Sequence, residues 1–378
     1  MTGKQPKFEI KSGRIYYENI PPGTPMSQLM TGFFKDKIEN EGMGPLMAQW
    51  IATSKCNFRC PHCGTAASEA KPDELSWAQI KPVIEDLASM GCKTFTMTGG
   101  EPILRPDFWK IVDHAHANGM KTGFVTNAWA IKDFEDELRR AKIETILVSI
   151  DGYRENHDKI RGMPGSYKKC LEAIRFLKDI GTPVVGVSTV YMKDNVDFLP
   201  QIVDEAAKAG ADRHRLQAIV PEGRSKGKGN SREEIKKAIK FVYDARKRGV
   251  NIEVCEAHGW LGPLDGILRA NFYCGIGLNT LCIMQNGDVM GCSLMDYPDK
   301  TEGNVKDKSI KDIWFNGFKM YRQPTLPDLP KECTDCKQLI ECRGGCWLHR
   351  MNNNFCFLPM AVEVARESGD FPNLDEKY

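Results

Sequence analysis

Between about residues 46 and 255 the chain alternates two patterns of apolar and polar positions. Short apolar runs at 47–53, 93–98, 121–126, 145–150, 184–190, 215–220 and 251–254 read as strands. Between them, the segments 77–90, 107–118, 133–141, 166–180, 196–209 and 231–248 place apolar residues every three or four positions, as a helix packed on a sheet does. Gly91, Gly119, Gly181, Gly210 and Gly249 follow the helical segments closely, where left-handed caps are expected. Repeated strand–helix units predict a parallel sheet with right-handed crossovers. Six or so units predict an α/β fold, a full or partial β/α barrel whose chemistry lies at the C-terminal ends of the strands.

Outside the repeat the pattern changes. FEIKSGRIYYENI, within residues 1–45, alternates in part and predicts a short hairpin. After residue 256 the periodicity fades. There TLCIMQ runs into Asn286-Gly287, a strong signal for a second hairpin. The segment 221–230 (PEGRSKGKGN) reads either as a solvated loop or as a basic lip over the strand ends, touching an anionic substrate. The expected organisation is a lead-in at 1–45, a core at 46–256, a Cys-rich domain at 257–360 and a tail at 361–378.

Composition narrows the chemistry. Apolar residues make up 41% of 378, enough for a large core and too many for a mainly disordered chain. A net charge of only +2 argues against a dedicated nucleic-acid binder. No run approaches the length of a membrane-spanning helix, and MTGKQPKFEIKSG lacks the apolar stretch of a secretory signal. A cytoplasmic location is therefore expected, where thiols stay reduced. Fourteen cysteines in that compartment point to metal or redox chemistry rather than disulfides. Cys92, Cys170 and Cys255 stand alone and read as small buried hydrophobes.

The remaining cysteines form two groups. Cys56, Cys60 and Cys63 make a C-x3-C-x2-C loop directly after the first strand. Three thiolates leave one iron of a [4Fe–4S] cluster open to a ligand. A zinc site would need His62 as its fourth ligand, poorly placed inside the loop. The second strand ends in Gly99-Gly100-Glu101-Pro102. Glycines there let backbone approach a ligand closely, and Glu101 adds a carboxylate.

These two segments together resemble the radical SAM superfamily. The resemblance implies that the open iron holds S-adenosylmethionine, which is reductively cleaved to a hydrogen-abstracting 5′-deoxyadenosyl radical. It implies cofactor contacts at Gly99, Gly100, Glu101 and Pro102, with Glu101 beside the methionine ammonium. VSIDG (148–152), followed by His157, Asp158 and Arg161, resembles another family stretch and implies contacts from Ser149 and Arg161. Asn127 falls on a TN-Gly pattern, here TN-Ala. Val190, ending the fifth strand, falls where the family packs the adenine. His62 departs from the aromatic residue usual before the third cysteine.

The second group runs Cys274-x12-Gly287-x4-Cys292, then Cys333-x2-Cys336-x5-Cys342-x3-Cys346-x9-Cys356. It resembles the seven-cysteine SPASM extension of radical SAM enzymes. The implied fold is a partial (β/α)6 TIM-like barrel with a Cys-rich C-terminal SPASM domain containing a β-hairpin. Two auxiliary [4Fe–4S] clusters are implied, three in all, with Cys274, Cys292 and Cys346 on one and Cys333, Cys336, Cys342 and Cys356 on the other. Cys282 either completes the first or is a buried strand residue that leaves an iron open. A pair of zinc ribbons is the alternative, weakened by the lack of paired histidines.

Auxiliary clusters can accept the electron left on a substrate radical, so the resemblance implies an oxidative peptide maturase that cross-links or dehydrogenates. Sulfatase maturases have an Asp directly after the Gly-x4-Cys segment; here Ser293 stands there, and Asp296 follows three residues later. Asp296, Glu222 and His258 are the candidate acid/base groups. A flavodoxin or ferredoxin is the expected reductant. The residues before the first core strand are few, so a separate leader-peptide-binding protein is expected. The alternatives are a small-molecule enzyme acting on a carbohydrate, an aminocyclitol or a tetrapyrrole side chain, with Arg224 of VPEGR (220–224) holding carboxylates, and a non-catalytic electron carrier. The GGEP segment speaks against the carrier, which needs no S-adenosylmethionine.

Overall fold

The computed structural model describes residues 7–11, 14–19, 26–269, 274–295, 297–326, 328–353, 356–372 and 374. The alternating segment near the start forms the expected hairpin, β1 (Lys7–Lys11) against β2 (Arg14–Glu18), with Phe8 opposite Tyr17 and Ile10 opposite Ile15. A helix that the pattern did not signal follows, α1 (Met26–Glu41). It buries Met30, Phe34 and Ile38, spaced four apart, and Met30 and Phe34 pack on Leu278. So narrow a stripe among polar residues gives little periodic signal.

The seven expected core strands all form. They are β3 (Met47–Thr53), β4 (Thr94–Gly99), β5 (Lys121–Thr126), β6 (Thr145–Ser149), β7 (Val184–Tyr191), β8 (Arg213–Ala218) and β9 (Ile252–Val254). Each pairs in parallel with the next in chain order. In β3, Trp50, Ile51 and Ala52 are buried in succession, because a sheet covered on both faces hides every side chain.

Helices cover this sheet: α2 (Trp77–Ser89), α3 (Phe108–Ala117), α4 (Glu135–Arg140), α5 (Glu155–Arg161), α6 (Ser166–Asp179), α7 (Leu199–Lys208) and α8 (Arg232–Lys247). α2 buries Ile80, Val83, Ile84 and Leu87 at helical spacing and starts in a Ser76–Gln79 capping box. α8 starts in a Ser231–Glu234 box. The segment 196–209 opens with a 3-10 turn, Val196–Phe198, and turns α-helical only at Leu199, with Pro200 in the first turn where its missing N–H costs nothing. α5 was not anticipated; ENHDKIR is short and polar.

The sheet does not stop at β3. β10 (Thr280–Ile283) pairs with it in parallel, β11 (Asp288–Met290) returns antiparallel after the Asn286-Gly287 turn, and β12 (Gly303–Asn304) follows. The order is β12-β11-β10-β3-β4-β5-β6-β7-β8-β9, an open ladder and so a partial barrel. The Cys-rich region thus shares backbone hydrogen bonds with the core. At the other edge, the helix Leu358–Ser368 lays Met360, Ala361 and Val364 in one apolar cluster with Ile235, Ile239 and Val242 of α8. The expected tail from 361 therefore begins inside a packed helix. No helix among the described residues is long and apolar enough to cross a membrane.

Candidate functional site

The first three cysteines lie on the loop that leaves β3. The Cys56 N–H donates to Ser68 O (2.8 Å) and Ser68 N–H to Ser54 O (2.8 Å), which closes the loop at its base. The Cys63 N–H donates to Cys60 O (3.3 Å), forming a tight turn. The charges of all three sulfurs bear on one another. Burial raises the Cys56 thiol above its usual value and pushes Cys60 up to about 11. Such thiols ionise only if a cation takes the proton's place, as iron would.

The end of β4 is pressed against this loop. Gly100 N–H donates to Thr53 O (2.7 Å) and Glu101 N–H to Lys55 O (2.8 Å). A Cβ on Gly100 would stand 2.0 Å from Lys55 O and one on Gly99, where φ is +130°, 2.4 Å from Thr53 O. Only glycine allows this approach, the physical reason for the Gly99-Gly100 pair. Pro102 then opens a 3-10 turn.

Glu101 is buried at the centre of the strand ends. Its Oε2 accepts the Asn127 N–H (2.7 Å), while its Oε1 is buried with no partner in the chain. Burial pushes this carboxyl up to about 7, although Asn127, Thr126 and the charge of Arg161 oppose the rise. An orphaned buried carboxylate oxygen beside three thiols fits the ammonium of S-adenosylmethionine. Asn127 also reaches the loop, its amide 2.7 Å from Asn57 Oδ1 and 3.9 Å from Cys56 Sγ.

Asp151, within the VSIDG segment but not singled out from the sequence, joins the remaining predicted residues. Its Oδ2 accepts Arg161 (2.7 Å) and lies 3.0 Å from His62 Nε2, and its Oδ1 accepts the Val190 N–H (2.8 Å). Burial alone would raise the Asp151 carboxyl, but the charges of His62 and Arg161 hold it below its usual range. His62 is thus tied to the carboxylate that positions Arg161, whose guanidinium lies 5.7 Å from the Phe58 ring. Val190 is half-buried against Ile160, Met192 and Ile219, and Ser149 ends β6 opposite Ser188.

The 221–230 segment is neither a free loop nor an open basic lip. Arg224 donates to Cys60 O and Ala67 O (both 2.8 Å), its N–H donates to Cys63 O (3.0 Å), and Lys228 reaches Pro61 O (3.2 Å). The expected carboxylate clamp at Arg224 is instead a strap over the cluster loop.

The C-terminal cysteines fall into two neighbouring sets. Cys274, Cys292 and Cys346 line a cavity of about 720 Å³ with Glu256, Tyr321 and Trp347. The charges of Cys274 and Cys292 bear on Cys346, and burial pushes Cys274 up to about 12. In the second set, Cys333 feels Cys356 and Cys336, and Cys342 feels Cys356. Cys342 also lines the large cavity, and with Cys346 and Cys356 it lines a smaller one of about 260 Å³. Among the described residues no three His, Cys, Asp or Glu side chains converge as a single metal ion would need. Cys274, Cys292 and Cys346 share one cavity wall, and Cys342, Cys346 and Cys356 the other.

Cys282 lies on β10 in the main core, 2% exposed, with its Sγ 3.7 Å from Ile283 O. Cys92, Cys170 and Cys255 are buried too. His258 is enclosed in the smaller cavity's wall, its Nε2 3.0 Å from Tyr191 Oη and its Nδ1 3.0 Å from Cys255 O. Burial lowers it to about 3, so it stays neutral. Glu222 accepts the Tyr297 hydroxyl. Asp296 lies outside the described residues. Sequence reasoning missed Glu256 and Arg215, whose side chains pair at 2.6 Å; neither carries a motif.

Residues 50–206 match the model of the radical SAM superfamily, and 274–337 match that of an iron–sulfur cluster-binding domain, SPASM. Mycofactocin maturase MftC of Mycobacterium tuberculosis is 30% identical over 308 residues, covering 80% of this chain and 78% of that protein. The AdoMet-dependent heme synthase of Methanosarcina barkeri is 27% identical over 334 residues, covering 79% and 90%. Streptococcus suis SuiB bound to S-adenosylmethionine superposes with a TM-score of 0.67 at 18% identity, over 88% of this chain and 81% of that one. The structure of anSMEcpe with bound AdoMet and Cp18Cys peptide gives 0.65 at 18% identity, over 88% and 98%.

Proposed function

The chain belongs to the radical SAM superfamily and carries a SPASM extension, and from that membership we propose that it is a peptide maturase that oxidises its substrate by cross-linking or dehydrogenation. It is an enzyme, and its two domains imply S-adenosylmethionine and iron–sulfur clusters. When bound, these groups supply one-electron cleavage of the cofactor and hydrogen abstraction by its 5′-deoxyadenosyl fragment.

The chain's own residues hold and orient. Cys56, Cys60 and Cys63 would hold the first cluster, and Glu101, with its buried Oε1 unpartnered, would receive the cofactor's ammonium. Asp151 keeps Arg161 and His62 in place and, through the Val190 N–H, fixes the strand end that would contact the cofactor. Ser149, with Gly99, Gly100, Pro102 and Asn127, completes the pocket. Arg224 fastens the cluster loop from outside. The observation that carries the reading is the unpartnered, buried Glu101 oxygen beside three mutually interacting thiols.

Behind this mouth, Cys274, Cys292 and Cys346 hold one auxiliary cluster and Cys333, Cys336, Cys342 and Cys356 another, three clusters in all. Residues 46–256 form the radical-generating unit and 257–360 the auxiliary unit. A flavodoxin or ferredoxin supplies electrons, a separate protein binds the substrate's leader, and the enzyme works in the cytoplasm. The similarity to a maturase supports a peptide substrate. The similarity to a heme synthase favours a second reading, a tetrapyrrole side chain, but Arg224 is already engaged by two carbonyls.

Anaerobic reconstitution with dithionite and S-adenosylmethionine tests the chemistry. It should yield 5′-deoxyadenosine and about 12 irons per chain from three four-iron clusters. Absence of 5′-deoxyadenosine sinks the enzyme reading. For the substrate, a short peptide encoded beside the gene should lose hydrogen by mass spectrometry, whereas turnover of a siroheme-derived tetrapyrrole would replace the peptide reading with the second one.

A further inference from the structure

The cavity holding Cys274, Cys292 and Cys346 has three thiols, and a four-iron cluster has four irons to ligate. The last ligand must come from elsewhere or be absent. We propose that the carboxylate of Glu256 is the fourth protein ligand of this cluster, in place of a thiol. The inference rests on the reading of the three cysteines as ligands of one cluster.

Glu256 follows β9 in a short 3-10 turn, Glu256–His258. It lines the same cavity as the three thiols, and its charge bears on both Cys274 and Cys292. Its side chain keeps 40% of its surface free, on a residue that forms part of the cavity wall. One oxygen, Oε2, meets Arg215 at 2.6 Å, an ion pair that presents a carboxylate rather than a carboxylic acid.

The turn is held against the chain that carries Cys346. A Cβ added to Gly259 would come within 3.2 Å of Gly345 Cα and 3.4 Å of the Cys346 N. The Cys255 N–H donates to Leu216 O (2.9 Å) and the Gly259 N–H to Glu256 O (3.0 Å). Glu256 thus opens a turn that is tied to β8 at Cys255 and abuts Gly345 and Cys346 at Gly259.

Among the described residues, the other hydroxyls along the wall already donate to partners. The Tyr321 hydroxyl donates to Met295 Sδ (3.3 Å) and the Ser27 hydroxyl to Ile340 O (3.0 Å). Cys342 interacts with Cys356 of the neighbouring set. Cys282, the thiol that the sequence left open for this role, is buried on β10 in the main core and is not among the residues lining the cavity, although the charge of Cys292 bears on it too. An oxygen ligand is harder and more exchangeable on iron than a thiolate. It would leave this iron able to take a substrate group.

The holoenzyme and the variants Glu256→Ala, Glu256→Cys and Cys282→Ala, assayed for iron and by Mössbauer and EPR spectroscopy, test this. Glu256→Ala should lose one site-differentiated iron, leaving about 11 of about 12 and a three-iron signal. Glu256→Cys should retain all the iron while the cluster's signal moves to that of four-thiolate ligation. Cys282→Ala should match the wild type. A wild-type spectrum from Glu256→Ala, or loss of the signal in Cys282→Ala, overturns the assignment. Should Glu256→Ala fail to fold, an unshifted signal in Glu256→Cys overturns it equally. A wild type with only about 4 irons per chain sinks this proposal together with the two-auxiliary-cluster reading; full iron with an unaffected Glu256→Ala sinks this proposal alone.

Discussion

The mouth of the barrel and the cavity behind it hold iron in opposite ways. At the mouth, one loop supplies all three thiols within eight residues, and four other segments tie it down: Gly99–Glu101, Asn127, Asp151 through His62, and Arg224. At the rear, the three thiols come from residues 274, 292 and 346 and meet only as parts of one cavity wall. The first arrangement keeps its shape through hydrogen bonds within the protein. The second draws its thiols from three distant segments, so its shape depends on how those segments pack together. A site that must aim one radical benefits from rigidity, while a site that hands on electrons or touches substrate can leave a position open.

That contrast can be broken by experiment. The largest effect is expected from Asp151→Asn. Removing the charge leaves the buried Arg161 guanidinium without its counterion, a loss of about 3–5 kcal/mol. Urea unfolding should show it, and iron should be lost from the first cluster while the auxiliary clusters stay. Equal loss from all three clusters would mean that the mouth is not separately held. Arg224→Ala should come next, at about 1.5–3 kcal/mol for two carbonyls deprived of a charged donor. The first cluster should then leach faster under a chelator. A change in substrate KM with no change in leaching would instead restore Arg224 to a carboxylate-binding role.

At neutral pH the smallest effect comes from two buried histidines, whose contribution shows only as the pH falls. Burial lowers His157 to about 4 and His258 to about 3, from 6.5. Each uses a ring nitrogen as acceptor, His157 Nδ1 for the Asp151 N–H and His258 Nε2 for the Tyr191 hydroxyl, so protonation breaks a bond. A depressed folded-state value means that stability is whole above pH 6.5 and falls as pH drops toward 4 and 3. Each histidine should contribute about 1.4 kcal/mol per pH unit in that window. His157 sits behind the mouth and His258 at the rear. Replacing either by Gln should flatten the acid limb of a thermal-stability profile, and an unchanged slope in both would refute the assignment.

Legibility in the sequence followed the range of the interaction. The parallel strands appeared to within two residues, since short apolar runs and three-to-four spacing are local. So did the Cys56–Cys63 loop and Gly99-Gly100, whose motifs are contiguous in the chain although the glycines meet Thr53 and Lys55 some 45 residues away. α1 and α5 escaped, one for its narrow stripe and one for its polarity. Asp151 lay in a noticed segment, but nothing local said that one carboxylate would serve Arg161, His62 and the Val190 N–H together. Arg224 read as a solvent-facing cation because its partners lie some 160 residues away.

By itself the sequence determined that this chain is a strand–helix repeat with a three-thiol loop at the first strand's end and a second cysteine-rich region. Those are properties of spacing, and spacing survives without a fold. The tertiary structure decided that β10 extends the core sheet beside β3, that Cys282 is buried in the core rather than on the cavity wall, and that Glu256 shares a cavity with three distant thiols. These follow from which surfaces bury each other across hundreds of residues, and no local pattern encodes such a choice.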